Sequence, residues 1–233
     1  MISPCIIAYF QAYTNTYAPR SYLEKVYTEA LSFPLVCGIS IATRPDCLPD
    51  EVLDLLSSLK ERFPDKFIWI ELGLQTIHQR TADFIRRGYE LPCFEAAMTH
   101  LNAIGIPVIV HVILGLPDET KAQMLETVQY LNAFHPFGIK LQLLHVLENT
   151  DLADCYRNGD FDVLTKDVYL EIVTDCLEVL SPDIVVHRVT GDGPKKILIA
   201  PQWSADKRDV LNSLHALMKK KNARQGDRIV RKL

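Results

Sequence analysis

The sequence lacks any close pair of cysteines. Its six, at positions 5, 37, 47, 93, 155 and 176, come no nearer than ten residues apart. That removes CxxC and CxxxC, the spacings from which zinc and iron–sulfur sites are read, and no metal ligands are assigned. Cys5 and Cys37 lie in apolar, strand-like runs and are expected to serve as small core hydrophobes. Cys47 lies on a polar stretch and is expected to be exposed. Long apolar runs are also missing: Pro107 to Leu114 falls far short of the roughly 20 residues that span a bilayer. Met1-Ile2-Ser3-Pro4 carries no basic leader. A soluble, cytoplasmic protein without membrane contact is the expectation. Neither repeats nor low-complexity segments interrupt the 233 residues, enough for one substantial core.

Charge of one sign is scarce at one end. From Lys219 onward there are seven basic residues and one acid, which leaves 18 basic against 28 acidic residues before it. A basic tail can hold a nucleic-acid backbone, and more often is a solvated terminus, so RNA enters as a candidate substrate.

What is present is alternation. Short apolar runs at Cys5–Phe10, Val36–Ala42, Phe67–Leu74, Pro107–Leu114, Gly138–Val146 and Ile184–Arg188 read as six strands. Amphipathic stretches separate them, among them Ser21–Leu31, Asp50–Phe63, Glu119–Phe134 and Lys166–Leu180, and Ala205–Lys221 follows the last. Strand–helix alternation at this spacing predicts βαβ units and a parallel sheet. Six strands are too few for a closed eight-stranded barrel. One core over residues 1–190 and a C-terminal extension over 191–233 with a basic tail are expected.

Strand parity then sorts the side chains. Ile68, Ile70, Leu72 and Leu74 belong under helices, as do Ile39, Ile41, Leu141 and Leu143. The opposite parity gathers Gln11, Ser40, Glu71, Gln75, His111, Lys140 and Gln142 in the lumen. Left unpaired, such groups would cost about 1–3 kcal/mol each, so a polar ligand or ordered water is implied. Lone readings remain open: His111 as a structural histidine, Glu71 as the ion-pair partner of Lys140, Arg44 as a surface turn residue.

Four segments at these strand ends carry a resemblance. Tyr9-Phe-Gln-Ala-Tyr-Thr-Asn-Thr-Tyr17, Ile41-Ala-Thr-Arg-Pro-Asp46, Glu71-Leu-Gly-Leu-Gln75 and His111-Val-Ile-Leu-Gly-Leu-Pro117 resemble consecutive core motifs of the radical S-adenosylmethionine (SAM) superfamily. Within it, the likeness is to a bacterial subfamily related to the branch of the elongator catalytic subunit, a tRNA-modifying enzyme. The resemblance implies an α/β fold, a partial (β/α)6 TIM-like barrel of parallel strands. It implies two cofactors, SAM and a [4Fe–4S] cluster, with reductive cleavage of SAM to a 5′-deoxyadenosyl radical. Carried over by motif, Gln11, Thr14 and Asn15 take the place where the family binds the SAM amino group. Thr14 and Asn15 stand where Gly-Gly-Glu is commoner. Glu71 matches a SAM-contacting position and Gln75 lies two residues beyond Gly73. The Val112–Gly115 edge would meet the adenine, and Arg44 would meet the SAM carboxylate or a substrate. Ser40 and His111 complete the expected SAM-binding set. No catalytic residue is assigned.

The departure from the family is the cluster motif. The family holds its cluster on CxxxCxxC after the first strand. This chain opens almost directly on what should be the second. The first strand is therefore expected to be missing, and the chain to be inactive alone, either truncated or a natural cluster-free remnant. Cys5–Phe10 would then be an exposed edge open to self-association. A cluster-free SAM- or nucleotide-binding module is the alternative. A metal-dependent hydrolase using Glu71, His111, His145 and His187 is a third reading.

Overall fold

The computed structural model describes residues 5–191 and 193–229. The ends of both expected regions, residues 1–4 and 230–233, and residue 192 lie outside the described residues. In chain order the elements are β1 (Ile6–Phe10), α1 (Arg20–Ser32), β2 (Val36–Thr43), α2 (Asp50–Arg62), β3 (Phe67–Gln75), α3 (Gln79–Phe84), α4 (Leu91–Ala103) and β4 (Val108–Leu114). Then come α5 (Lys121–Leu131), β5 (Gly138–Leu143), β6 (Val146–Leu147), α6 (Asp151–Asn158), α7 (Lys166–Val179), β7 (Val185–Arg188), β8 (Leu198–Ala200) and α8 (Lys207–Lys221). Among the described residues no helix is long and apolar enough to cross a membrane.

Six strands form one sheet in the order β1-β2-β3-β4-β5-β7, and the fold is a partial (β/α)6 barrel. The chain also divides into two compact units. One runs to Leu74 and resumes over Tyr89–Val110; the other takes Gln75–Gly88 and everything from His111.

In the first unit, β1 and β2 pair in parallel with Tyr9 beside Ser40, and β2 and β3 pair in parallel with Ala42 beside Glu71. The helix-facing parity is apolar, as expected: Ile39, Ile41, Ile70, Leu72 and Leu74 are fully buried. Helix α2 begins after Pro49, carries Asp50 and Glu51 in its first turn, and ends on Lys60 and Arg62. Each charge thus opposes the helix dipole at its own end. β1 has β2 as its one sheet partner among the described residues, and Ile6 and Ile7 are 48% and 43% exposed.

The second unit pairs β5 with β7 in parallel. It also holds a two-stranded antiparallel sheet, β6 with β8, that the alternation pattern did not reveal. The stretch expected as one strand, Gly138–Val146, is broken after Leu143. Leu144 instead donates its amide to the Leu114 carbonyl (2.9 Å), and Val146 turns to β8. Val146, Ala153 and Ala200 form a small core beneath this pair.

Two expectations fail on local chemistry. Cys5 and Cys37 are bonded to each other, and Cys5 is exposed, so neither is a free core hydrophobe. The basic tail is not a frayed end as far as residue 229. Gly226 and Arg228 donate their amides to Leu177 and Glu178 carbonyls of α7, at 3.0 and 2.9 Å. Arg228 pairs with Asp175 (3.2 Å) and Glu178 (2.7 Å), and Lys221 pairs with Glu171. Acids on α7 thus neutralise part of what reads in the sequence as a surplus.

Depth of burial fixes an expected contrast. Leu72→Ala removes side-chain volume from a fully buried position and should cost about 2–5 kcal/mol of stability. Ile7→Ala on the exposed edge should change it by less than about 0.5 kcal/mol. Urea denaturation followed by circular dichroism reads both; equal losses would contradict the assigned strand parity.

Candidate cofactor site

Glu71 is the charged centre of the first unit. It lies on β3, 5% exposed, on the face opposite the apolar parity. Ser40 Oγ donates to one carboxylate oxygen (2.8 Å) and Tyr9 Oη to the other (2.7 Å). The three residues come from three adjacent strands: Tyr9 lies beside Ser40, and Glu71 lies two positions beyond Trp69, the residue beside Ser40, so the sheet itself sets their separation. A carboxylate removed from water must be met by donors, and these two meet it. Tyr9 was not singled out from the sequence, although it shares Gln11's parity.

The loop after β1 is pinned rather than loose. Asn15 donates its backbone amide (3.1 Å) and its side-chain amide (3.0 Å) to the Ala42 carbonyl. Thr16 Oγ1 sits 2.5 Å from both Thr43 Oγ1 and the Cys47 carbonyl, and Tyr27 Oη donates to the Asn15 carbonyl (2.5 Å). Gln11 is exposed and Thr14 half-buried on this loop. A cavity of about 480 Å³ opens beside it, lined by Thr16, Tyr17, Asp46, Cys47 and Glu51 among others.

Arg44 closes the β2 end. Its guanidinium is bidentate on Asp46, at 2.9 and 2.6 Å, and lies 5.6 Å from the ring centre of Tyr89. The hydrogen bond from Arg44 holds the Asp46 carboxyl below the ordinary carboxylate range. The neighbouring Cys47 is half-buried rather than exposed as expected, and burial pushes its thiol upward.

In the second unit, Gln75 ends β3 at φ 67°. A side chain in this left-handed region carries strain of about 1–3 kcal/mol and needs a surrounding that enforces it. Arg87, 6% exposed, supplies it by donating Nη1 to the Thr76 carbonyl (2.6 Å). Thr76 Oγ1 donates to Glu119 (2.5 Å) and accepts from the His78 amide (3.0 Å). Burial raises the Glu119 carboxyl above its usual range. Neither Arg87 nor Glu119 was anticipated; an Arg-Arg-Gly turn after a short helix was the available signal. The Gln75 side-chain oxygen is buried with no hydrogen-bond partner. His111 and Gln142 are brought together at 2.9 Å, as their shared parity suggested. Gly115 sits at φ 82°, a conformation that favours glycine, and an added Cβ would lie 2.8 Å from the Leu164 side chain, which would have to shift. His145 lies against Gly191 and Gly193, and His187 against Gly138, so these two histidines do not join His111 in a shared ligand set. Among the described residues no group of three His, Cys, Asp or Glu side chains converges on a metal position.

A family model described as the radical SAM superfamily matches residues 6–131, and one described as the radical SAM C-terminal domain matches 136–220. The chain belongs to the radical SAM superfamily. YtqA of Bacillus subtilis is 43% identical over 94% of this chain and 67% of its own length. YhcC of Escherichia coli is 34% identical over 84% of this chain and 63% of its own. Human Elongator complex protein 3 is 26% identical over 79% of this chain and 32% of its own. The tRNA uridine(34) acetyltransferase of Methanocaldococcus jannaschii is 24% identical over 70% of this chain and 29% of its own. Among solved structures, archaeal Elp3 of Methanocaldococcus infernus with an N-terminal deletion superposes at a TM-score of 0.81. It is 17% identical and covers 96% of this chain and 56% of that one. The chain thus spans between about a third and two thirds of these relatives.

Radical SAM relatives use SAM and a [4Fe–4S] cluster, and the two fit this chain differently. A buried carboxylate held by Ser40 and Tyr9 suits a ligand that bears amine or hydroxyl groups. The cysteines do not suit a cluster: Cys5 and Cys37 are joined, and Cys47, Cys93, Cys155 and Cys176 form no convergent set.

The Arg44–Asp46 pair has a pH signature. Because the Asp46 pKa is depressed in the fold, the pair's contribution is full above the unfolded carboxylate pKa and is lost as pH falls through the folded value. Exposure of both groups limits it to about 0–1 kcal/mol. Arg44→Ala should move the Asp46 carboxyl upward in a carbon-detected NMR titration. An unmoved Asp46 would remove Arg44 as the cause.

Proposed function

We propose that this chain is the SAM-binding barrel core of a radical SAM enzyme. The observation that carries the reading is Glu71, a buried carboxylate held between Ser40 and Tyr9 on the polar face of the sheet. Bound SAM supplies radical chemistry once a reduced cluster acts on it. The residues of this chain bind and orient it and exclude water. Glu71 accepts from the cofactor's amine or hydroxyl groups, and the pinned Gln11–Asn15 loop faces the aminoacyl end. Arg44 is the proposed partner of the SAM carboxylate or of a substrate. The cluster cysteines would come from a segment outside these 233 residues.

RNA is the proposed substrate class, supported by the relative whose name places it on tRNA uridine 34. The free edge of β1, with Ile6 and Ile7 exposed, is proposed to pair with the same edge of a second copy. A two-fold axis would make that pairing antiparallel. The absence of a convergent cysteine set among the described residues favours one second reading, a module that holds SAM without cleaving it.

Isothermal titration with SAM tests the first proposal. Wild type should bind. Glu71→Gln should weaken binding by about tenfold or more, the loss of one charged hydrogen bond. No heat and no thermal shift at millimolar SAM would sink the reading. Anaerobic reconstitution of this chain with iron and sulfide should give no stoichiometric cluster; a full cluster would overturn the assignment of its ligands to another segment. For the edge, sedimentation should show a dimer that Ile7→Lys dissolves, and a monomeric wild type at high concentration would dismiss it.

A further inference from the structure

A second cavity lies within the C-terminal unit. It is about 820 Å³, wide-mouthed, and lined by Lys195, Gln202, Trp203, Lys207 and Arg208 among others. Its cations come from two elements. Lys195 opens the short turn before β8, and Lys207 and Arg208 occupy the first turn of α8.

That last placement runs against the helix dipole, which favours anions at a helix N-terminus. Two acids of the same turn, Asp206 and Asp209, line the cavity as well, and each has a partner. Asp206 caps α8 by accepting from the Asp209 amide (3.0 Å), and Asp209 pairs with Lys166. The result is a concave surface on which three cations from two backbone segments outnumber the two acids.

The wall is rigid and aromatic. Trp203 donates its indole N–H to the Leu164 carbonyl (3.0 Å), and its ring lies 5.5 Å from that of Tyr169. Gln202 donates to the Leu198 and Ile199 carbonyls, at 2.7 and 2.8 Å, which fixes the turn that carries Trp203. β8 is paired to β6, and β6 comes directly after the C-terminal end of β5. The cavity is thereby tied to the strand end at which sites of βα folds are built. The lysine-rich tail is a different feature, with Lys221 and Arg228 spent on α7.

We infer that this cavity binds a nucleoside phosphate: Lys195, Lys207 and Arg208 take the phosphate, and the Trp203 wall takes the ring. Its volume falls within the range of small-ligand sites. The phosphate can come from a free nucleotide or from a residue of an RNA strand. The inference deepens the RNA proposal by naming a handle on the substrate. Binding of the phosphate stands independently of that proposal; only its use in a reaction on RNA rests on it.

The test uses the intact chain, with uridine 5′-monophosphate, uridine and a short oligouridylate as probes, since a pyrimidine avoids an adenosyl site. Tryptophan fluorescence or titration calorimetry should show the monophosphate binding about tenfold or more tighter than uridine. The double variant Lys207→Ala/Arg208→Ala should lose that advantage with an unchanged melting temperature. Glu71→Gln should leave it intact while SAM binding falls, which separates this site from the SAM reading. Tighter binding of oligouridylate, with a steep salt dependence, assigns the phosphate to RNA; tighter binding of the monophosphate assigns it to a free nucleotide. Equal binding of uridine and its phosphate, or a double variant indistinguishable from wild type, overturns the inference.

Discussion

A carboxylate buried in a sheet is the constraint around which the first unit is arranged. Glu71 sits where water scarcely reaches, and an unmet charge there would be expelled or neutralised. Ser40 and Tyr9 meet it only because β1, β2 and β3 run parallel at the observed register. A slip of one residue would turn both donors beneath the helices and bring apolar neighbours, an isoleucine beside Ser40 and Ala8 or Phe10 beside Tyr9, into their place. Site and sheet register are therefore one constraint. The apolar parity beneath the helices fixes the same register from the other side.

The second unit achieves fixed polar geometry by a different device. Gln75 leaves β3 in a left-handed conformation that its own backbone disfavours. Arg87, Thr76 and Glu119 hold the turn through a chain of hydrogen bonds, and the strain is stored there instead of relaxing. Polar groups placed without freedom to move suit a ligand that must be oriented, because little reorganisation remains to be done on binding.

The parity of side chains was legible because a period of two sorts residues irrespective of partners. Ser40, Glu71, His111 and Gln142 fell on the polar face by that rule, and the hydrogen bonds agree with it. Properties that depend on contacts between distant segments were not legible. Cys5 and Cys37 looked like core residues because their flanks are apolar, but an edge strand leaves its start exposed, and proximity across the pair joined them. The basic tail looked free because its acidic partners, Glu171, Asp175 and Glu178, lie some fifty residues earlier on α7. β6 and β8 are too short to show a period at all. The cluster-motif departure, by contrast, rests on spacing alone and needs no fold to be seen.

The central claim is that Glu71 is the anchor of a SAM site. A crystal structure of this chain grown with SAM measures that directly. The account expects SAM within hydrogen-bond distance of the Glu71 carboxylate, with Ser40 and Tyr9 still donating to it. SAM bound elsewhere, with Glu71 more than a hydrogen bond away, would contradict it.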